Sequence, residues 1–104
     1  MSPSRLETLG RMLESRPDDP RLRFGLAMEY LSQDRLEEGV EELRRYLALT
    51  DDEGNAWGRL GAALRSLGQD EEAREAYGNG IAAARRHAHP TMVDEFQEVL
   101  DDWD

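Results

Sequence analysis

The stretch WGRLGAALRSLGQDEEAREAY, residues 57–77, decides the fold of this chain. Trp57, Leu60, Gly61, Leu64 and Leu67 recur at the three- and four-residue spacing of one helical face. Gly68 then serves as a left-handed helix cap, the conformation glycine adopts at no steric cost. Asp70, Glu71 and Glu72 open a second helix, where negative charge is favoured by the exposed amide groups of the first turn. Ala73, Tyr77 and, just beyond, Ile81 make its apolar face. Gly61 lets the two helices approach closely, and a large residue at Tyr77 fills space between neighbours.

The same pattern occurs earlier in the chain at an offset of 34. Leu26 falls on Leu60, Ala27 on Gly61, Tyr30 on Leu64, Ser32 on Ser66 and Asp34 on Gly68. Glu37, Glu38 and Glu41 fall on Glu71, Glu72 and Glu75, Gly39 on Ala73, Leu43 on Tyr77 and Leu47 on Ile81. At the same offset Glu7, Leu9, Arg11 and Leu13 echo Glu41, Leu43, Arg45 and Leu47. A fixed period of this kind signals a stack of helix pairs that bury one continuous core.

The chain resembles the tetratricopeptide repeat family, of the small bacterial type, through Trp57-x-x-Leu60-Gly61-x-x-Leu64, Gly68 and Ala73-x-x-x-Tyr77. A looser copy runs Leu26-Ala27-x-x-Tyr30 and Gly39-x-x-x-Leu43. Arg23 replaces the usual Trp, Tyr46 and Gly80 stand where a small Ala is usual, and no proline closes either repeat. The resemblance implies an all-α, right-handed superhelix of antiparallel helix pairs, about six helices in one domain. Its expected parts are an N-terminal half-repeat helix over 1–19, repeats over 20–53 and 54–87, and a capping helix over 88–104.

Local signals place the remaining helices. Ser4 with Glu7 fits a capping box for a helix over about 3–16, with Leu6, Leu9, Met12 and Leu13 inward. Pro17 ends it, and Asp19-Pro20 caps the next, which carries Leu22, Leu26, Ala27 and Tyr30. Asp34 with Glu37 is expected to cap a third, bearing Leu36, Val40, Leu43, Tyr46 and Leu47. Residues 50–55 break the pattern. After His87-Ala88-His89-Pro90, a last helix carries Met92, Val93, Phe96, Val99, Leu100 and Trp103. Its Val93, Phe96 and Leu100 follow Trp57, Leu60 and Leu64 at 36 residues instead of 34, and Gln97 replaces the small Gly61, so it reads as a terminal cap.

Composition excludes whole classes of function. The 104 residues hold no cysteine, so no disulfide framework, thiolate zinc site or catalytic thiol exists. Three Val, one Ile and three Thr against fourteen Leu and eleven Ala argue against a sheet. All thirteen basic residues are Arg, so no Lys is present to form a Schiff base. The net charge is −10: residues 1–50 contribute −2 and 51–104 contribute −8. That field repels nucleic acid and anionic membrane. With no signal peptide or spanning stretch, the expected compartment is cytoplasmic.

Catalytic and cofactor motifs are missing. His87 and His89 lack an implied third ligand and read as loop residues. Asp51-Asp52-Glu53 and Asp70-Glu71-Glu72 lack the alternating calcium-loop pattern and read as helix starts. Gly78-Asn79-Gly80 lies inside a helical pattern, so it is no phosphate cradle; Gly80 is expected to admit the last helix closely. No metal, cofactor or enzymatic constellation is expected.

In the family, the first helix of each repeat lines a concave groove. The resemblance therefore assigns Arg21, Phe24, Met28 and Leu31, with Asn55, Arg59, Ala62 and Arg65, to a peptide-binding surface. Three arginines there favour an acidic or C-terminal carboxylate ligand. The expected function is a non-catalytic protein-interaction module, a scaffold or adaptor. The alternative is self-association as a homodimer, with the apolar stripe covered by a second copy, or with the acidic tail around Asp101, Asp102, Trp103 and Asp104 exchanged into the groove.

Overall fold

A computed structural model describes residues 3–103; Asp104 of the acidic tail lies outside the described residues. Six helices follow in order: α1 (Arg5–Ser15), α2 (Pro20–Ser32), α3 (Leu36–Leu49), α4 (Asn55–Ser66), α5 (Asp70–Arg86) and α6 (Pro90–Asp101). No strand occurs among the described residues. The helices form two compact units, one up to Thr50 and one from Asp51 onward.

The first unit contains α1, α2 and α3. Ser4 Oγ accepts from the Glu7 amide and Asp19 caps α2 through the Arg21 and Leu22 amides, both as the sequence predicts. Leu9, Leu13, Leu22 and Leu26 make a buried cluster, with Leu6 and Tyr30 half-buried against it. Met12, expected inward, is exposed instead. Its counterpart 34 residues on, Tyr46, packs against Phe24 of α2, and α1 is preceded by no such helix among the described residues.

Arg23, standing where the family usually has Trp, ties this unit together. Its Nε donates to the Pro17 carbonyl at 3.0 Å and its Nη1 reaches Glu42 Oε2 at 3.0 Å. Glu42 is 5 % exposed, and its other oxygen accepts from Arg45 at 2.7 Å. These partners offset the cost of desolvating the carboxylate, and removing one of them would leave a buried charge uncompensated.

The second unit contains α4, α5 and α6. Leu60, Leu64, Ala73, Ala83 and Ala84 are fully buried or nearly so. Gly61 lies under the Tyr77 ring: a Cβ placed there would fall 2.7 Å from Tyr77 Cε2. Gly58 and Gly80 together accept Phe96 of α6, with would-be Cβ contacts of 2.6 and 2.8 Å. The expectation for Gly80 is met, while Gly58 was not singled out by the sequence. Around Gly78 a Cβ would meet nothing within 4 Å.

One turn recurs three times. Asp34 (φ 59°), Gly68 (φ 77°) and Ala88 (φ 58°) are left-handed. The amide after each bonds back five residues: Arg35 to Tyr30, Gln69 to Leu64 and His89 to Ala84, at 2.8–2.9 Å. This is the Schellman closure of a helix C-terminus. It corrects the reading of Asp34 as the cap of α3: Asp34 closes α2, and Arg35 precedes α3 without a side-chain cap. Aspartate tolerates the left-handed region better than most residues, because its short polar side chain bonds locally.

This packing and these turns set the expected stability of three variants. Gly61→Leu should cost on the order of 1–3 kcal/mol by driving into Tyr77, whereas Gly78→Ala should stabilise by about 1 kcal/mol, as for an open helix interior. Ala88→Gly should stabilise by about 1 kcal/mol by relieving a left-handed Cβ. Urea midpoints of the three variants check all of these.

Candidate functional site

The groove residues assigned by the resemblance divide between the two units. On α2, Arg21 is exposed, and Phe24, Met28 and Leu31 are half-buried. The Phe24 ring meets Tyr46 of α3 edge-on, with centroids 5.0 Å apart. Leu31 lies directly over Gly39: a Cβ there would be 2.5 Å from Leu31 Cδ2. Both residues thus contribute to the α2–α3 contact and keep only part of their surface for a ligand. On α4, Asn55, Arg59, Ala62 and Arg65 are all exposed. Among the described residues, neither Arg21 nor Arg59 makes an ion pair.

Arg65 already has an aromatic neighbour. Its guanidinium lies 4.1 Å from the centre of the Trp103 ring, and Arg74 of α5 lies 4.9 Å from the same centre. Tyr77 meets Trp103 edge-on at 6.2 Å. Burial pushes the Tyr77 phenol up in pKa, and the nearby Arg65 charge pulls it the other way. A cation over an indole face contributes about 0.5–1 kcal/mol when exposed and more when desolvated. The resemblance named Arg65 and the helical spacing of the tail named Trp103, but neither pointed to Arg74 or to the meeting of all three. Arg74 sits among acids on α5 and carries no local sign of its neighbour.

The histidines read as loop residues flank the α5–α6 turn and bind the acid run that precedes α4. His87 Nε2 is 2.9 Å from Asp51 Oδ2, and Arg86 Nη2 donates to Asp51 Oδ1 at 3.0 Å. His89 Nε2 is 3.5 Å from Glu53 Oε2. Asp52 meanwhile accepts from the Gly54 and Ala56 amides, so the run does open the helix as expected. The pairing across 35 and 36 residues left no trace in the sequence pattern. Among the described residues no cluster of His, Asp and Glu is arranged to hold a metal ion. No helix among them is long and apolar enough to cross a membrane.

Comparison with known proteins agrees with the repeat. The sequence model of a family described as Tetratricopeptide repeat matches residues 2–94. A TPR repeat-containing protein of Pseudomonas aeruginosa is 34 % identical over 95 residues, 91 % of this chain and 90 % of that protein. The peroxisomal targeting signal receptor of Eremothecium gossypii is 30 % identical over 77 residues, 73 % of this chain but 14 % of the receptor. The solution structure of a Bordetella parapertussis protein superposes with a TM-score of 0.79 at 30 % identity, covering 96 % of this chain and 87 % of that one.

The Asp51 carboxyl gives a pH prediction. Hydrogen bonding from Arg86 and then His87 holds its pKa below the ordinary 3.8. A depressed folded-state pKa means the contact contributes stability above pH 3.8 and loses it as pH falls through the lower folded value. A carboxyl-detected NMR titration should place Asp51 below 3.8, and Arg86→Gln should move it back up.

Proposed function

The chain belongs to the tetratricopeptide repeat family, and from that premise we propose that it binds acidic protein segments, on the α2 face of the first unit and on the α4 face of the second, without chemical change. Domains of this family are generally non-catalytic protein–protein interaction modules. The observation that carries the finer reading is the pair Arg21 and Arg59. Both are exposed and, among the described residues, without an ion pair, in a chain of net charge −10. Arginines left unpaired amid so much acid are matched by a ligand carboxylate, which can accept two parallel N–H bonds from one guanidinium. Phe24 and Met28 supply half-buried apolar surface on the Arg21 face, and Asn55 and Ala62 complete the Arg59 face. A name such as targeting signal receptor, borne by one relative, fits a fold that captures peptide segments. The scaffold or adaptor role and a cytoplasmic location belong to the same reading.

Labelled acidic peptides, each with a free or amidated C-terminus, test it by fluorescence polarisation. Binding should weaken as salt rises, because exposed ion pairs are screened. Arg21→Ser and Arg59→Ser should each reduce affinity about tenfold, the equivalent of one lost charge-assisted bond. Unchanged affinity in both variants would overturn the assignment. Light scattering on the same proteins separates self-association: a dimer lost with these arginines would mean that the face binds a second copy.

A further inference from the structure

We propose that Arg65, Arg74 and Tyr77 form a seat for an aromatic side chain flanked by carboxylates, filled by the chain's own Trp103 and taken over by a partner segment of the same chemistry. The inference rests on reading the Arg65 face as an acidic-segment surface, and extends it to α5.

Three observations carry it. The first is the occupant. The guanidinium groups of Arg65 and Arg74 lie 4.1 and 4.9 Å from the centre of the Trp103 ring, and Tyr77 meets that ring edge-on. It follows Asp101-Asp102 directly, so the seat already holds an aromatic residue from an acidic stretch. The second is unmatched charge. Among the described residues neither Arg65 nor Arg74 makes an ion pair, and Asp101 instead accepts from Gln97 at 3.0 Å. An indole face attracts two cations but leaves their mutual repulsion uncancelled. A ligand that brings its carboxylates against the guanidiniums supplies what the tethered tryptophan does not. The third is the hold on the occupant. α6 contains no buried residue, whereas each of the other five helices does. Its last turn is therefore held by half-buried contacts alone, and regions with few buried apolar contacts open at low cost.

Displacement is a competition between a tethered and a free ligand. A short tether presents its group at an effective concentration of about millimolar, so removing it exposes the seat to added ligand. The probe is a labelled synthetic peptide with the sequence of residues 94–103. By fluorescence polarisation the Trp103→Ala chain should bind it at least about tenfold more tightly than the unchanged chain. Adding Arg65→Ser or Arg74→Ser to that variant should remove the gain. Should Trp103→Ala lose helicity by circular dichroism, Trp103→Leu gives the same comparison while keeping an apolar group against Tyr77. Equal binding to both chains, no binding to the emptied seat, or binding indifferent to Arg65 and Arg74 would each overturn the proposal. Loss of Arg65-dependent binding with Arg59-dependent binding intact would remove the seat alone. The reverse result would leave the seat and remove the reading of the α2 and α4 faces.

Discussion

Three antiparallel helix junctions in this protein rest on a single residue with positive φ. Asp34, Gly68 and Ala88 reverse the chain in the same way, with the same return hydrogen bond five residues back. A closure this short fixes where the following helix starts, so the small residues must sit at the right height to receive it. They do so differently in the two units. In the first, Gly39 on the later helix receives Leu31; in the second, Gly61 on the earlier helix receives Tyr77. The turn at Ala88 sends α6 back over Gly58 and Gly80 and brings Trp103 within reach of Arg65 and Arg74. Fold and candidate ligand surface thus share one backbone device.

The exclusive use of arginine shapes what these contacts can be. A guanidinium is planar, donates in a fork and is more weakly hydrated than an ammonium. Arg23 uses the fork to join a loop carbonyl to the buried Glu42. Arg35 stacks over Tyr30 at 4.8 Å, and Arg65 and Arg74 do the same on Trp103. A lysine at any of these places would bring a compact, strongly hydrated charge without the planar face that stacks or the rigid fork that fixes two acceptors in place. Among the described residues Glu42 is the one acid that is buried.

The architecture was legible because its signals are local. Helix faces, Ser4, Asp19 and Gly68 are each decided within a few residues, and the 34-residue offset multiplies that information. Asp34 misled for a physical reason: aspartate favours both a helix start and a left-handed helix end, and only the offset to Gly68 separates the two. Met12 misled because an apolar spacing marks the inward face only where a neighbouring helix exists to cover it. The contacts of the candidate site were legible only in part. Arg65 and Trp103 stood out from groove position and tail composition. Arg74, Gly58 and the Asp51–His87 pairing join residues whose partners lie far along the chain, and one sequence carries no periodicity that links them.

The polar side chains on α6 have a consequence for assembly. Phe24, Ala27 and Leu31 of α2 lie toward α3, whereas the positions 70 residues further on are Asp94, Gln97 and Asp101, all exposed. A helix of the α3 kind arriving there would meet two carboxylates and an amide instead of an apolar bed. Open repeat edges are hazardous because one copy can add to the next head-to-tail, and a heterologous contact that does not close into a ring grows into a fibre. Phe, Ala and Leu at those three positions would make such an edge. Asp94, Gln97 and Asp101 give α6 no such apolar bed.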